Sequence, residues 1–204
     1  MNVEQFASFD KDINNISIFE EKKSKFVTLG FYVDNQEHIN KILINLRKTY
    51  SEASHLTYAY KLLNEQITSK SCDDGEPSGC AGKPLLNVIN QRKLYNVLIV
   101  VARIFGGVKL GAGNLTRAYS NSAISLIESN LVWYKIGWYI TFRTSFELVG
   151  KLENSLRNDG IIYKLESDVF TVLTENEFDF ISKFKSYIIE VINKKYEYVK
   201  QRKC

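Results

Sequence analysis

The chain is short of the residues that build specialised scaffolds. Its 204 residues include three cysteines, two prolines, two histidines and two tryptophans. Cys72, Cys80 and Cys204 make an odd number, which argues against a disulfide framework. The Cys72–Cys80 spacing fits no usual zinc pattern, and only His38 and His55 could supply imidazole. No stretch approaches the roughly 18 consecutive apolar residues needed to span a membrane. The N-terminus also lacks the basic segment and apolar run of a secretory signal. The expected setting is therefore the reducing cytoplasm, with no membrane partner. Charge of one sign is scarce as well. The net charge is +4, with 15 basic and 13 acidic side chains in residues 1–131 and 12 and 10 in residues 132–204. A dedicated duplex-DNA binder carries a stronger basic bias, so any nucleic-acid reading rests on local clusters. What remains is ordinary globular material, 45% hydrophobic and 25% charged, with enough apolar residues for a core.

Both prolines, Pro77 and Pro84, fall in residues 64–84, a stretch rich in Ser, Gly, Asp and Asn that reads as one long loop. Before it, residues 15–33 read as two strands and residues 55–62 as a third. Between them, Asp34 and Glu37 suggest a capping box for a helix carrying Ile39, Ile42, Leu43 and Leu46 and ending near Tyr50. After the loop, Pro84 suits the first turn of a short helix. The continuous apolar run Val97–Ala102 predicts a strand buried on both faces. A glycine-rich turn, Gly106 to Gly113, then feeds a helix to about Ser129.

Beyond it, residues 137–144 alternate as a strand, and Ser145 can cap a helix through Leu148, Val149, Leu152 and Leu156 that Gly160 closes. Residues 161–166 and 169–173 read as a hairpin around Ser167-Asp168. Thr174 and Glu177 suggest a second capping box, with Ile181, Phe184, Ile188 and Val191 on one helix face and a last strand at Tyr196–Val199. That β-α-β-β-α-β order is the ferredoxin-like arrangement. The fold class expected is α+β in two domains, 1–132 and 133–204, with the boundary near 130–136.

Two blocks carry chemistry. The first runs Asp73-Asp74-Gly75-Glu76-Pro77-Ser78-Gly79-Cys80-Ala81-Gly82-Lys83-Pro84. Carboxylates this close repel unless cations answer them. Asp73, Asp74 and Glu76 could hold Mg²⁺, because its hard ligands are carboxylates and water, and no other cofactor is expected. The simpler reading pairs the acids with basic side chains of the same domain. The second block, Arg103-Ile104-Phe105-Gly106-Gly107-Val108-Lys109-Leu110-Gly111-Ala112-Gly113-Asn114-Leu115-Thr116-Arg117-Ala118-Tyr119, has three cations and no acid. Glycines let backbone N–H groups approach a ligand, and a helix N-terminus favours an anion, so a phosphate could sit there flanked by Lys109 and Arg117. The spacing is neither the dinucleotide fingerprint nor a Walker A loop. The competing reading is a tight turn whose Arg103 and Arg117 neutralise the acidic loop.

Taken together, the Asp-Asp-Gly-Glu-Pro-Ser-Gly loop and the Phe-Gly-Gly-x-x-Leu-Gly turn ending in Arg-Ala-Tyr resemble the signature of the YigZ/Impact family. His55, in a Ser-His-x-x-Tyr-Ala-Tyr context, matches as well, and the likeness covers residues 15–130. Cys80, Ile104, Asn114 and Thr116 depart from the family pattern. Leu56 and Thr57 stand where Asn-Cys commonly follows the histidine, which removes the thiol that a cysteine nucleophile would need there. The resemblance implies a first domain that is an α/β sandwich like domain IV of elongation factor G, a ribosomal-protein-like βαβ fold, and a ferredoxin-like second domain like its domain V. It also implies binding to RNA or the ribosome. Eukaryotic relatives regulate the starvation response of translation through an extra N-terminal module, which this chain is expected to lack.

Three functions follow. An RNA- or ribosome-binding regulator of translation would use Arg103, Lys109 and Arg117, with the tail Lys195, Lys200, Arg202 and Lys203 and the aromatics Tyr196 and Tyr198. A metal-assisted enzyme acting on a phosphorylated small molecule would use His55 as general base beside Asp73, Asp74 and Glu76. A regulator with a protein partner in translation would present Trp133, Tyr134, Trp138 and Tyr139, although these also suit inter-domain packing.

Overall fold

The computed structural model describes residues 5–11, 15–64 and 66–200, in two compact units, one spanning Phe6–Trp133 and the other Tyr134 onward together with Gln5. The first unit holds β1 (Gln5–Phe9), β2 (Asn15–Glu21), β3 (Ser24–Tyr32), α1 (Gln36–Thr49), β4 (His55–Leu63), β5 (Ile67–Cys72), α2 (Gly82–Gln91), β6 (Val97–Ile104) and α3 (Ala112–Asn130). Its sheet runs β2-β3-β6-β4-β5, each neighbouring pair antiparallel. Because β3 and β4 both oppose β6, they run parallel to each other, and α1 makes the crossover between them.

The apolar run becomes the central strand. Val97, Ile99 and Val101 pack into a core with α2 and α3, while Leu98, Val100 and Ala102 pack into a second core with Ile39 and Leu46 of α1. Each face of an antiparallel sheet is here covered by helix, which is why alternation disappears from β6.

Several expectations needed correction. Residues 67–72 are not loop but an edge strand, paired along β4 from Leu63↔Ile67 to Tyr58↔Cys72. Residues 67–70 are exposed and only Ser71 and Cys72 are half-buried, so no apolar alternation announces this strand. The cap of α1 is Asn35 rather than Asp34, its Oδ1 accepting from His38 N–H at 2.8 Å. The cap of α5 (Glu177–Phe184) is likewise Asn176 rather than Thr174. In both cases the amide oxygen one residue before the helix reaches the free N–H groups of the first turn.

The second unit continues with β7 (Leu131–Arg143), α4 (Val149–Asn158), β8 (Tyr163–Glu166), β9 (Val169–Thr174), α5 and β10 (Glu190–Lys200). Within it β7 pairs with both β10 and β9, and β9 pairs with β8, each pair antiparallel. One core joins Ile140, Phe142, Phe170 and Val172 of the sheet to Leu152, Leu156, Phe180 and Phe184 of the helices. Strand β7 starts directly after α3, so no separate segment fills residues 130–136. Ser145 makes no side-chain cap and precedes a single 3-10 turn. Gly160, at φ +67°, closes α4 with Ile161 N–H donating to Leu156 O at 2.9 Å. Helix α5 stops at Phe184, so Ile188 lies beyond it and Val191 belongs to β10, although both still pack on the same core. Apolar residues spaced for a helix face are buried here from a turn and a strand.

Candidate functional site

Strand pairing sets the site. Arg103, near the end of β6, stands opposite His55 on β4 and Phe26 on β3. Directly paired residues project to the same face. The acidic loop after β5 and the glycine bend after β6 close over this row.

Each carboxylate of the loop has its own partners. Asp73 accepts from the N–H groups of Gly79 at 2.8 Å, Ala81 at 3.1 Å and Gly82 at 2.8 Å. It thereby closes the N-terminus of α2, where Ala81 offers no capping oxygen. Burial pushes the Asp73 carboxyl up, but the three N–H bonds outweigh this and hold it below its ordinary range. Asp74 accepts at Oδ2 from Leu56 N–H at 2.6 Å and from Arg47 at 2.7 Å. Its carbonyl lies 2.8 Å from His55 Nδ1. A carbonyl only accepts, so Nδ1 carries a proton and fixes the ring.

Glu76 is buried and binds hardest. Its Oε1 accepts from Arg103 Nη1 at 2.6 Å and from Tyr119 Oη at 2.7 Å, and its Oε2 lies 3.8 Å from His55 Nε2. Burial, then the bond to Glu76, pushes the Tyr119 phenol far above its usual range, so it stays a donor. The Arg103 guanidinium sits 5.5 Å from both the Phe26 and Phe105 ring centres, and its Nη2 donates to Ser24 Oγ at 3.3 Å. Its Nε is buried without a hydrogen-bond partner.

Above this network opens a cleft of about 470 Å³. His55, Glu76 and Arg103 lie among its lining, with Pro77, Phe105, Lys109, Leu110, Gly111, Ala112 and Leu115 around them. Of the three cations in the bend, Arg103 is held by Glu76, Lys109 reaches the cleft, and Arg117 is exposed on α3 outside its lining. Of the pair expected to flank a phosphate, Lys109 lines the cleft and Arg117 lies further along α3. Gly106 makes room for the chain itself rather than for a ligand. A Cβ there would stand 1.9 Å from Lys23 O. Gly107 and Gly111 have φ of +81° and +79°, while Gly113 faces open space. Ser78 is exposed and outside the cleft lining.

The carboxylates expected to hold Mg²⁺ do not converge. Among the described residues no group of three or more His, Cys, Asp or Glu side chains is arranged to hold a metal ion. Asp73, Asp74 and Glu76 are turned to different protein donors instead. In the second unit, Lys195 pairs with Glu197, and the Tyr196 ring lies 4.7 Å from that of Trp138. Arg202 and Lys203 lie outside the described residues. Tyr134 is buried and Trp133 half exposed. Among the described residues no helix is long and apolar enough to cross a membrane.

Sequence reasoning missed Tyr119, Arg47 and Ser24 as partners of this network. Tyr119 stood in the Arg-Ala-Tyr motif, four residues after Leu115 and four before Ala123, and that helical spacing places it on the buried face of α3. Arg47 and Ser24 carried no local signal, since their contacts are made across the fold.

Fold and site define an α+β protein of two units whose first unit carries a charged cleft where two loops converge. The chain belongs to the Impact N-terminal domain family, whose model matches residues 22–127 and so covers the whole network. It is 35% identical over 144 residues to IMPACT family member YvyE of Bacillus subtilis, covering 70% of this chain and 66% of that one. It is 33% identical over 107 residues to IMPACT family member YigZ of Escherichia coli, covering 51% and 52%. The chain thus spans less than two thirds of the length of these curated relatives. The crystal structure of a hypothetical protein shares the fold at a TM-score of 0.62 and 22% identity, covering 93% of this chain and 99% of that one.

Proposed function

We propose that this chain is a translation-associated regulator that binds RNA, free or within a ribosome, through the cleft of its first unit. The observation that carries the reading is the union of Lys109 with the uncapped first turn of α3 at the mouth of that cleft. A lysine and a helix N-terminus both favour a phosphate. The resemblance to YigZ/Impact proteins supports the translational setting. So does the architecture, which we read as a domain-IV-like unit followed by a ferredoxin-like unit resembling domain V of elongation factor G. The β-α-β-β-α-β order and the pairing of β7 with β10 and β9, and of β9 with β8, favour that second assignment.

A fluorescent single-stranded RNA titrated at two ionic strengths tests this. Binding is expected at low salt and should fall steeply as salt rises. Lys109→Gln should weaken it and lower the salt slope by about one. Absence of binding at low salt removes the proposal. The geometry gives less to a metal-assisted enzyme, because the three carboxylates are already engaged. A protein partner docking on the boundary aromatics is also less favoured, because Tyr134 is buried and Trp138 packs on Tyr196.

A further inference from the structure

We infer that the cleft admits one unpaired nucleotide, its base stacked on Phe105 and its phosphate held by Lys109 and the first turn of α3. This rests on the RNA-binding reading and adds the form of the RNA and the residue that selects it. Phe105 is 44% exposed and lines the cleft, an unusual place for a phenylalanine beside a buried ion pair. It is held from within, since the Arg103 guanidinium lies 5.5 Å from its ring centre and is itself fixed by Glu76. A ring so supported is a platform with little freedom to lose on binding. Pro77, Leu110 and Leu115 add apolar wall to the same cleft. The lining therefore pairs an aromatic and apolar part with a cationic edge, as a nucleotide pairs a base with a phosphate.

Size sharpens the inference. About 470 Å³ lies within the range of small-ligand sites. Such a cleft accepts a splayed-out base but not a base held in a duplex. Unpaired bases stacked on aromatic side chains are the usual route to single-strand recognition, and the stacking tolerates different bases.

The test uses the full chain and a fluorescein-labelled oligouridylate, alone, annealed to oligoadenylate, and with one abasic position. The single strand should bind more tightly than the duplex. Phe105→Leu, which keeps apolar bulk but removes the ring, should weaken single-strand binding by about five- to a hundredfold. Phe105→Trp should restore what the leucine variant loses. Because Phe105 is half exposed, both variants should unfold at the wild-type denaturant midpoint, which checks that they fold. Equal affinity of wild type and Phe105→Leu, with Lys109→Gln still weakening binding, overturns the nucleotide pocket but leaves phosphate binding standing. Equal affinity for duplex and single strand overturns it too. No binding of any of these RNAs by the wild type at low salt overturns both.

Discussion

Arg103 and Glu76 show how the charged side chains of the two blocks divide their work. Both are buried, and their bond leaves neither free for a ligand. Removing one partner of such a pair strands the other charge, at a cost of about 3–5 kcal/mol, whereas replacing both with apolar residues is often neutral or stabilising. Glu76→Ala should therefore lower the denaturant midpoint strongly. The double variant Glu76→Leu/Arg103→Met should recover most of the loss, as urea unfolding of the three proteins will show. Asp73 makes a second prediction. Its carboxyl is depressed in the folded state, so its contribution is full above the ordinary value of 3.8 and is lost as pH falls through the lower folded value. The stability gap between wild type and Asp73→Asn should accordingly shrink as acid is added below that ordinary value, in unfolding measured across a pH series. The charges themselves were legible in the sequence, including that acids and cations would answer each other. Their pairing was not, because Tyr119 and Arg47 reach the acidic loop, and Ser24 reaches Arg103 and Gly106, from three different elements.

The glycine bend separates structural from open positions. Gly106 is pressed against Lys23 O, so Gly106→Ala must push the β2–β3 turn away and should cost about 1–3 kcal/mol. Gly113 sits within α3 with open space around it, and Gly113→Ala should stabilise the chain by about 0.5–1 kcal/mol. Thermal unfolding of the two variants compares them directly. Sequence patterning revealed most elements wherever a buried face dictated the residues, as at β6 and α1. It failed at β5, whose mostly exposed side chains carry no apolar alternation. It also failed at the end of α5, where helical apolar spacing ran on past the helix.

Across the whole molecule, a net charge of +4 gives little long-range attraction for nucleic acid, so binding must come from local placement. Each unit has its own core, and the two blocks that carry the family signature lie in the first. Whether the acidic loop and the glycine bend meet was not legible in the sequence; the pairing of β4 with both β5 and β6 is what brings them to one region. The most direct measurement is a set of backbone amide NMR spectra of the full chain titrated with oligouridylate at low salt. The account predicts shifts concentrated at Phe105, Lys109 and Gly111–Leu115, and shifts confined to residues 134–200, or none, would contradict it.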